Sequence, residues 1–154
     1  MKNTILSIFS AWVILLIFAC QAVNTNIPVA TTVTLSNDEV VIRHLFSKME
    51  TAWNNKDLIG YLHSFCEDAE IMEGYRAPVM TSKAEYSKLL PLKFSQVGPV
   101  KFEKIKIGGT TDFATNVRVT AFYPHLLQGG TVYFALNIVK IKGEWLIKKQ
   151  TYTY

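Results

Sequence analysis

The feature that most constrains the fold is the stretch at residues 52–75, AWNNKDLIGYLHSFCEDAEIMEGY. Its first residues end an apolar-periodic helix, and the polar corner NNKD follows, with Asp57 suited to cap a short second helix. The alternation after that helix predicts a strand at residues 69–75 with Ile71, Glu73 and Tyr75 on one face, and a loop at 76–80 follows it. One short stretch therefore predicts two helices joined at a corner and a strand that enters the core.

The helix before the corner begins with a capping box, because Ser36 and Glu39 are spaced to bond to each other's backbone N–H groups. Apolar side chains then recur every four residues, which predicts an amphipathic helix to about residue 54. These apolar residues are Val41, Leu45, Met49 and Trp53. A second capping box, Ser82 with Glu85, predicts a later helix, and Pro91 is expected to end it near residue 90.

The rest of the domain has the pattern of four strands joined by short turns. The predicted strands are residues 100–107, 113–123, 131–141 and 144–152. The apolar parity of the first strand slips between Phe102 and Ile105, which predicts a β-bulge or a strong twist. The third strand is apolar on both faces, which is typical of a central strand. Helices grouped before antiparallel strands indicate an α+β fold with the helices on one face of the sheet.

The N-terminus has the pattern of a secretory signal, with Lys2 before an apolar run at residues 5–19. The run is shorter than the roughly 20 residues of a membrane-spanning helix. It ends in the letters IFAC, which resemble the lipobox of bacterial lipoproteins and predict lipidation of Cys20. An ordinary cleaved signal and a retained anchor are the alternatives. We therefore predict a signal peptide at 1–19, a lipidated Cys20 with a tether at 20–35, and a domain at 36–154.

These features predict a bacterial envelope protein held at a membrane by lipid at Cys20, with its domain outside the cytoplasm; a secreted protein is the alternative. The net charge is +4. Its lysines lie on strand-like segments at mixed parity, which indicates a solvated sheet face, and no basic run with interleaved aromatic residues indicates nucleic-acid binding. Cys66 is expected to be a buried thiol. No Cys or His pattern indicates a metal site, and no cofactor is expected.

The order of the predicted elements resembles the nuclear transport factor two-like superfamily, above all its SnoaL-like members. The matching letters are WNNKD at 53–57, FCEDAEI at 65–71 and GEWLI at 143–147. The resemblance implies a cone of the cystatin-like roll type, in which a curved antiparallel sheet wraps a long N-terminal helix and leaves a pocket at the wide end. It also implies homodimerisation through the outer sheet face. The fold alone does not decide between enzymes and binding proteins.

Ketosteroid isomerase, a member of this superfamily, indicates which residues to compare. Its carboxylate base on the first strand corresponds to Glu73, and its protonated acid on a late strand corresponds to Asn137. Its tyrosine corresponds to Met49, so one donor to an oxyanion is missing. In that chemistry a carboxylate moves a proton and a neutral amide donates to the developing oxyanion. The alternative is structural, with Glu73 paired to Arg76 or Arg118 and Asn137 a satisfied polar residue.

The pocket implied by the resemblance is lined by Met49, Trp53, Tyr75, Tyr123 and Tyr133. Three functions are compatible with these features. The expected one is a membrane-anchored domain that binds a small apolar ligand or a protein partner in the cone pocket without chemistry. The second is an isomerase or dehydratase with Glu73 as general base, and the third is a homodimeric assembly module of an envelope complex.

Overall fold

Among the residues described by the computed structural model, 36–73, 77–125 and 130–153, three helices accompany a sheet of six strands. Along the chain the elements are α1 (Asn37–Asn54), α2 (Leu58–Leu62), β1 (Phe65–Glu73), β2 (Val79–Ser82), α3 (Lys83–Val97), β3 (Lys101–Ile107), β4 (Ala114–Tyr123), β5 (Gly130–Ile141) and β6 (Glu144–Thr153). The strand order is β2-β1-β6-β5-β4-β3, and the sheet is curved and unclosed. Every neighbouring pair is antiparallel except β1 with β6. The predicted α+β fold is confirmed.

Side-chain caps explain where α1 and α2 begin. Ser36 Oγ accepts from the N–H of Glu39 at 3.2 Å, and the Glu39 carboxylate accepts from the N–H of Ser36 at 3.3 Å. Asp57 accepts a backbone N–H three residues on at 2.9 Å and starts α2. Asn54 donates to the carbonyl of Val100 at 3.0 Å and accepts from its N–H at 2.8 Å. The corner is therefore tied both to its own helices and to the start of β3.

The core contains one side of α1 and one face of the sheet, which we call the inner face. Ile42, Phe46 and Met49 of α1 are buried. The buried side chains of β4 and β5 include Val117, Val119, Ala121, Phe134, Leu136 and Ile138. Because successive side chains of a strand point to opposite faces, the residues between them lie on the outer face. This alternation decides which side chains lie on the same face of the sheet and can therefore share a site.

The predicted bulge in β3 is confirmed. The register of β3 with β4 shifts between Glu103 and Lys106, and Lys104 has a φ of 47°. A bulge places one extra residue in one strand and bends it, which accounts for the slip in apolar parity.

The prediction that the third helix ends near residue 90 is wrong, because α3 continues through Pro91 to Val97. Pro91 is exposed, so the carbonyl that lacks its N–H partner lies on the solvent side of the helix. The continuation buries Phe94 below Tyr86 and Leu90 in one stripe. The packing of this stripe against the core outweighs the local preference of proline.

Two further boundaries differ from the prediction. β1 begins at Phe65 rather than at residue 69. A short edge strand, β2, occupies part of the predicted loop and pairs with β1, with Glu73 opposite Val79. The predicted signal peptide, Cys20 and the tether lie outside the described residues. In the ranges that are described, no helix is long and apolar enough to cross a membrane.

Candidate functional site

Glu73, the last residue of β1, lies on the inner face and forms an ion pair with Lys93 of α3. The Glu73 side chain is 11% exposed and the Lys93 side chain 27% exposed. Glu73 faces inward because Ile71, two residues earlier in the strand, is fully buried on that face. Lys93 reaches it because α3 does not stop at Pro91. The pair is thus largely enclosed but keeps access to solvent.

The lysine partner corrects the pairing expected from the sequence. Arg118 has buried neighbours on both sides in β4 and therefore lies on the outer face. Arg76 lies outside the described residues. Lys93 was missed because the sequence interpretation ended the helix before it.

Three buried tyrosines lie within electrostatic reach of the Glu73 carboxylate: Tyr61, Tyr86 and Tyr123. The Tyr61 and Tyr86 rings lie 6.5 Å apart, measured between centroids, and the Lys93 ammonium lies 6.0 Å from the centre of the Tyr86 ring. Burial raises the pKa of all three phenols, and the negative charge of Glu73 adds to the rise. They are therefore neutral hydroxyls near neutral pH. We call Glu73, Lys93 and these three tyrosines the tyrosine site.

Aromatic rings pack edge to face against this site. The Trp53 ring lies 5.3 Å from Tyr61, 5.0 Å from Phe94 and 6.1 Å from Tyr123, measured between centroids. The Trp53 indole N–H donates to the carbonyl of Gly98 at 2.8 Å. Aromatic pairs in such geometry contribute about 0.5–1.5 kcal/mol each beyond the area they bury. The apolar wall of the site is therefore held in one arrangement.

The predicted pocket residues divide between the two sides of the sheet. Met49, Trp53 and Tyr123 are buried on the inner side. Tyr75 lies outside the described residues. Tyr133 is 50% exposed. Phe134, the next residue along β5, is buried on the inner face, so Tyr133 lies on the outer face. The structure therefore corrects the placement of Tyr133, which does not line the cone interior.

Asn137 also lies on the outer face, where its Nδ2 donates to Oδ1 of Asn116 at 3.3 Å. Its neighbours Leu136 and Ile138 are buried on the inner face. Glu73 and Asn137 are thus on opposite faces of the sheet, and the expected carboxylate–amide pair in one cavity is not formed. The β5–β6 register shift places its extra residue, Lys148, in β6, so the face of Asn137 follows from the uninterrupted alternation along β5.

Several polar inner-face residues were not predicted from the sequence. Tyr61 and Tyr86 were missed, although the spacing of Tyr86, Leu90 and Phe94 is helical and indicates one buried stripe through Pro91. Gln150 is buried opposite Leu136, and the register shift in β6 turns it inward. Within the described part of the chain, no group of three or more His, Cys, Asp or Glu side chains is arranged to hold a metal ion.

Solved structures share this arrangement of helices and sheet. An NTF-2 like protein of unknown function from Shewanella oneidensis MR-1 is similar with a TM-score of 0.63 and 23% identity, covering 76% of this chain and 99% of that chain. The chain has the nuclear transport factor two-like fold. This agrees with the resemblance of its corner, first strand and last hairpin.

Two further solved structures have a similar fold. A protein of unknown function with a cystatin-like fold from Nostoc punctiforme PCC 73102 has a TM-score of 0.60 and 18% identity, over 77% of this chain and 91% of that chain. A ketosteroid isomerase-like protein from Erwinia carotovora atroseptica SCRI1043 has a TM-score of 0.58 and 18% identity, over 75% and 95%. No family model and no curated protein sequence matches the chain. At these identities the likeness establishes the fold, and function is argued from the site.

Proposed function

We propose that this chain is a membrane-tethered domain that binds a small apolar molecule with a polar end at the tyrosine site. The observation that carries the proposal is the enclosed Glu73–Lys93 ion pair, which keeps partial solvent access beside three neutral phenols. Such a site offers an ammonium donor, a carboxylate acceptor and hydroxyl groups to a polar end. The rings of Trp53 and Phe94 supply an apolar wall, and sites for small molecules combine these two features.

The ion pair supports binding better than proton transfer. The Lys93 ammonium occupies Oε2 of Glu73, one of the two carboxylate oxygens that could accept a proton from a substrate. The amide expected to hold an oxyanion, Asn137, lies on the other face of the sheet. An enclosed pair is also weak evidence for stability, because apolar replacement of both partners is often neutral or stabilising. Its presence next to the tyrosines therefore favours recognition of a ligand.

The test uses the double variant Glu73→Gln with Lys93→Met. Removing both charges avoids leaving one of them buried alone, which would destabilise the fold. Native mass spectrometry and solvent extraction of the purified protein should find a co-purified small molecule in the wild type and lose it in the double variant. The matched control is Glu70→Gln with Lys149→Met, which removes an exposed ion pair of 2.7 Å between the outer faces of β1 and β6.

Two results contradict binding at this site. One is the absence of any co-purified molecule from the wild type. The other is equal retention of the molecule by the Glu73→Gln, Lys93→Met protein. Thermal unfolding of each variant separates loss of ligand from loss of fold.

An isomerase or dehydratase is the second candidate, and the neutral hydroxyls of Tyr61 and Tyr86 favour it. In this mechanism Glu73 accepts a proton from the carbon beside a carbonyl, and a neutral phenol donates to the enolate oxygen. A β,γ-unsaturated ketone is a suitable probe, because its isomerisation needs that proton transfer. Turnover by the wild type that disappears in the Glu73→Gln, Lys93→Met variant, with the melting temperature kept, identifies the domain as an enzyme.

The tether in the proposal rests on the sequence before the domain. The apolar run at 5–19 and the IFAC letters that end at Cys20 support lipidation at that cysteine. A lipid there holds the domain at the membrane of the bacterial envelope, outside the cytoplasm.

A further inference from the structure

A groove of about 680 Å³ lies on the outer face of the sheet, on the side opposite the tyrosine site. We call it the basic groove. The side chains that line it include Lys104, Lys106, Arg118, Thr120 and Tyr133. They combine three cations, the Thr120 hydroxyl group and the half-exposed phenol ring of Tyr133. Its volume lies within the roughly 300–1,000 Å³ of small-molecule sites.

Among the described residues, no Asp or Glu side chain forms an ion pair with Lys104, Lys106 or Arg118. All 12 Asp and Glu side chains of the chain fall within the described residues. The ion pairs among the described residues use other lysines. Glu103, the only carboxylate of β3, is paired with Lys101 at 3.4 Å. The groove therefore carries a local excess of positive charge.

The strand register places two of these cations against each other. Lys106 lies directly opposite Arg118 in the β3–β4 ladder, which brings their Cβ atoms within about 4.5–5.5 Å. Like charges in that position destabilise a sheet. The bulge in β3 adds one residue, so Lys104 lines the same groove. An anion bound between the two strands would relieve this repulsion.

We propose that the basic groove binds a small organic phosphate, with the phosphate between Lys106 and Arg118 and the organic part against the Tyr133 ring. A phosphate monoester carries about −1.5 to −2 at pH 7, which balances several cations better than one carboxylate does. Arg118 offers a planar fork of donors that matches phosphate oxygens, and Lys106 adds a point charge. Thr120, opposite Tyr133 in the β4–β5 ladder, offers a hydroxyl donor.

A second copy of the chain is a poorer occupant of the groove. In a twofold interface centred there the same patch meets itself, so the excess cations of both copies would face each other. A small phosphate supplies the opposite charge and leaves the Tyr133 ring covered. The proposal is independent of the tyrosine site, because the two lie on opposite faces of the sheet.

The test titrates the full chain, purified in detergent, with adenosine monophosphate, inorganic phosphate and adenosine by calorimetry at low salt. We expect adenosine monophosphate to bind more tightly than inorganic phosphate, and adenosine not to bind. The double variant Lys106→Met with Arg118→Met should weaken that binding by about tenfold or more, because two charged hydrogen-bond donors are lost. Lys149→Met is the matched control, since this outer-face lysine is paired with Glu70.

Thermal unfolding provides a second readout. Adenosine monophosphate should raise the melting temperature of the wild type and not that of the double variant, because only the protein that binds is stabilised. Without ligand, the double variant should be at least as stable as the wild type, since it lacks the like-charge pair. This result also excludes misfolding as the cause of lost binding.

Three outcomes overturn the proposal. The first is the absence of adenosine monophosphate binding at millimolar concentration, and the second is equal binding by the double variant. The third is binding to phosphatidylglycerol vesicles without binding to adenosine monophosphate, which would identify a membrane-surface patch. Loss of the preference over inorganic phosphate in Tyr133→Ala supports the role of that ring.

Discussion

Cys66 lies at the start of β1 with 2% of its surface exposed, as expected for a small buried side chain. Burial raises the pKa of its thiol, and the negative charge of Asp68 adds to the rise. A thiol that is both enclosed and protonated reacts slowly, because the thiolate is the nucleophile. We expect an aromatic disulfide reagent to modify Cys66 slowly in the native Cys20→Ser variant and rapidly after unfolding in urea.

The control places a second thiol at a fully accessible position. Ile59 is 81% exposed, so Ile59→Cys in the same background should react rapidly in the native protein. Equal rates for Cys66 and this new thiol would contradict the burial of Cys66.

Asp38 connects the start of α1 to the β5–β6 hairpin. Its carboxylate accepts from the Lys140 ammonium and the Trp145 indole N–H, each at 2.9 Å. The hydrogen bond from Lys140, and to a smaller extent the one from Trp145, hold the pKa of Asp38 below its usual value. A carboxyl with a lowered folded-state pKa contributes stability above its unfolded pKa of about 3.9 and loses it as the pH falls through the folded value.

We therefore expect Asp38→Asn to lower the melting temperature at neutral pH, with a difference from the wild type that shrinks as the pH falls below about 4. Circular dichroism melts across this range measure it. Asp112→Asn, an equal charge change at an exposed residue, should give no such trend. A constant deficit for Asp38→Asn at every pH would assign the loss to packing instead.

At the scale of elements, α3 decides the chemistry of the inner face. Its last turns carry Lys93 to Glu73 and Phe94 to Trp53. Both contacts lie beyond Pro91, so the tyrosine site exists only because the helix tolerates that proline. The tertiary contacts of Lys93 and Phe94 thus compensate for the one backbone hydrogen bond that Pro91 removes.

We expect Pro91→Ala to stabilise the protein by about 2 kcal/mol. An interior proline costs a helix about 3 kcal/mol relative to alanine, and the freer unfolded chain of the variant returns about 1 kcal/mol. Urea unfolding measures the change. Lys88→Ala, an exposed change in the same helix, should stay within about 0.5 kcal/mol. A destabilised Pro91→Ala protein would show that the proline shapes the packing of α3.

At the scale of the whole molecule, we expect membrane attachment to depend on one atom, the Cys20 sulfur. Buried acyl chains contribute about 0.8 kcal/mol per methylene group to membrane affinity. Cys20→Ser should release the protein into the soluble fraction and abolish metabolic labelling with palmitate, whereas Cys66→Ser should keep both membrane attachment and label. A Cys20→Ser protein that stays in the membrane without label would indicate a retained apolar helix. Homodimerisation through the outer face stays a prediction.

The sequence by itself determined the features whose causes lie within a few residues. The capping box at Ser36, the N-cap at Asp57 and the parity slip in β3 all appear in the structure where they were predicted. Each depends on neighbouring backbone groups or on alternation along one strand, so no distant contact is needed. The α+β fold follows from the order of these elements.

Only the tertiary structure decided which side chains share a face and a partner. Asn137 and Tyr133 lie on the outer face because β5, which is apolar on both faces, packs its other face against the core. Glu73 pairs with Lys93 because α3 packs back onto β1 beyond Pro91. The sequence stretch at 52–75 predicted the Glu73 carboxylate. Its partner, Lys93, depends on the packing of α3 against β1, which no pattern of neighbouring residues predicts.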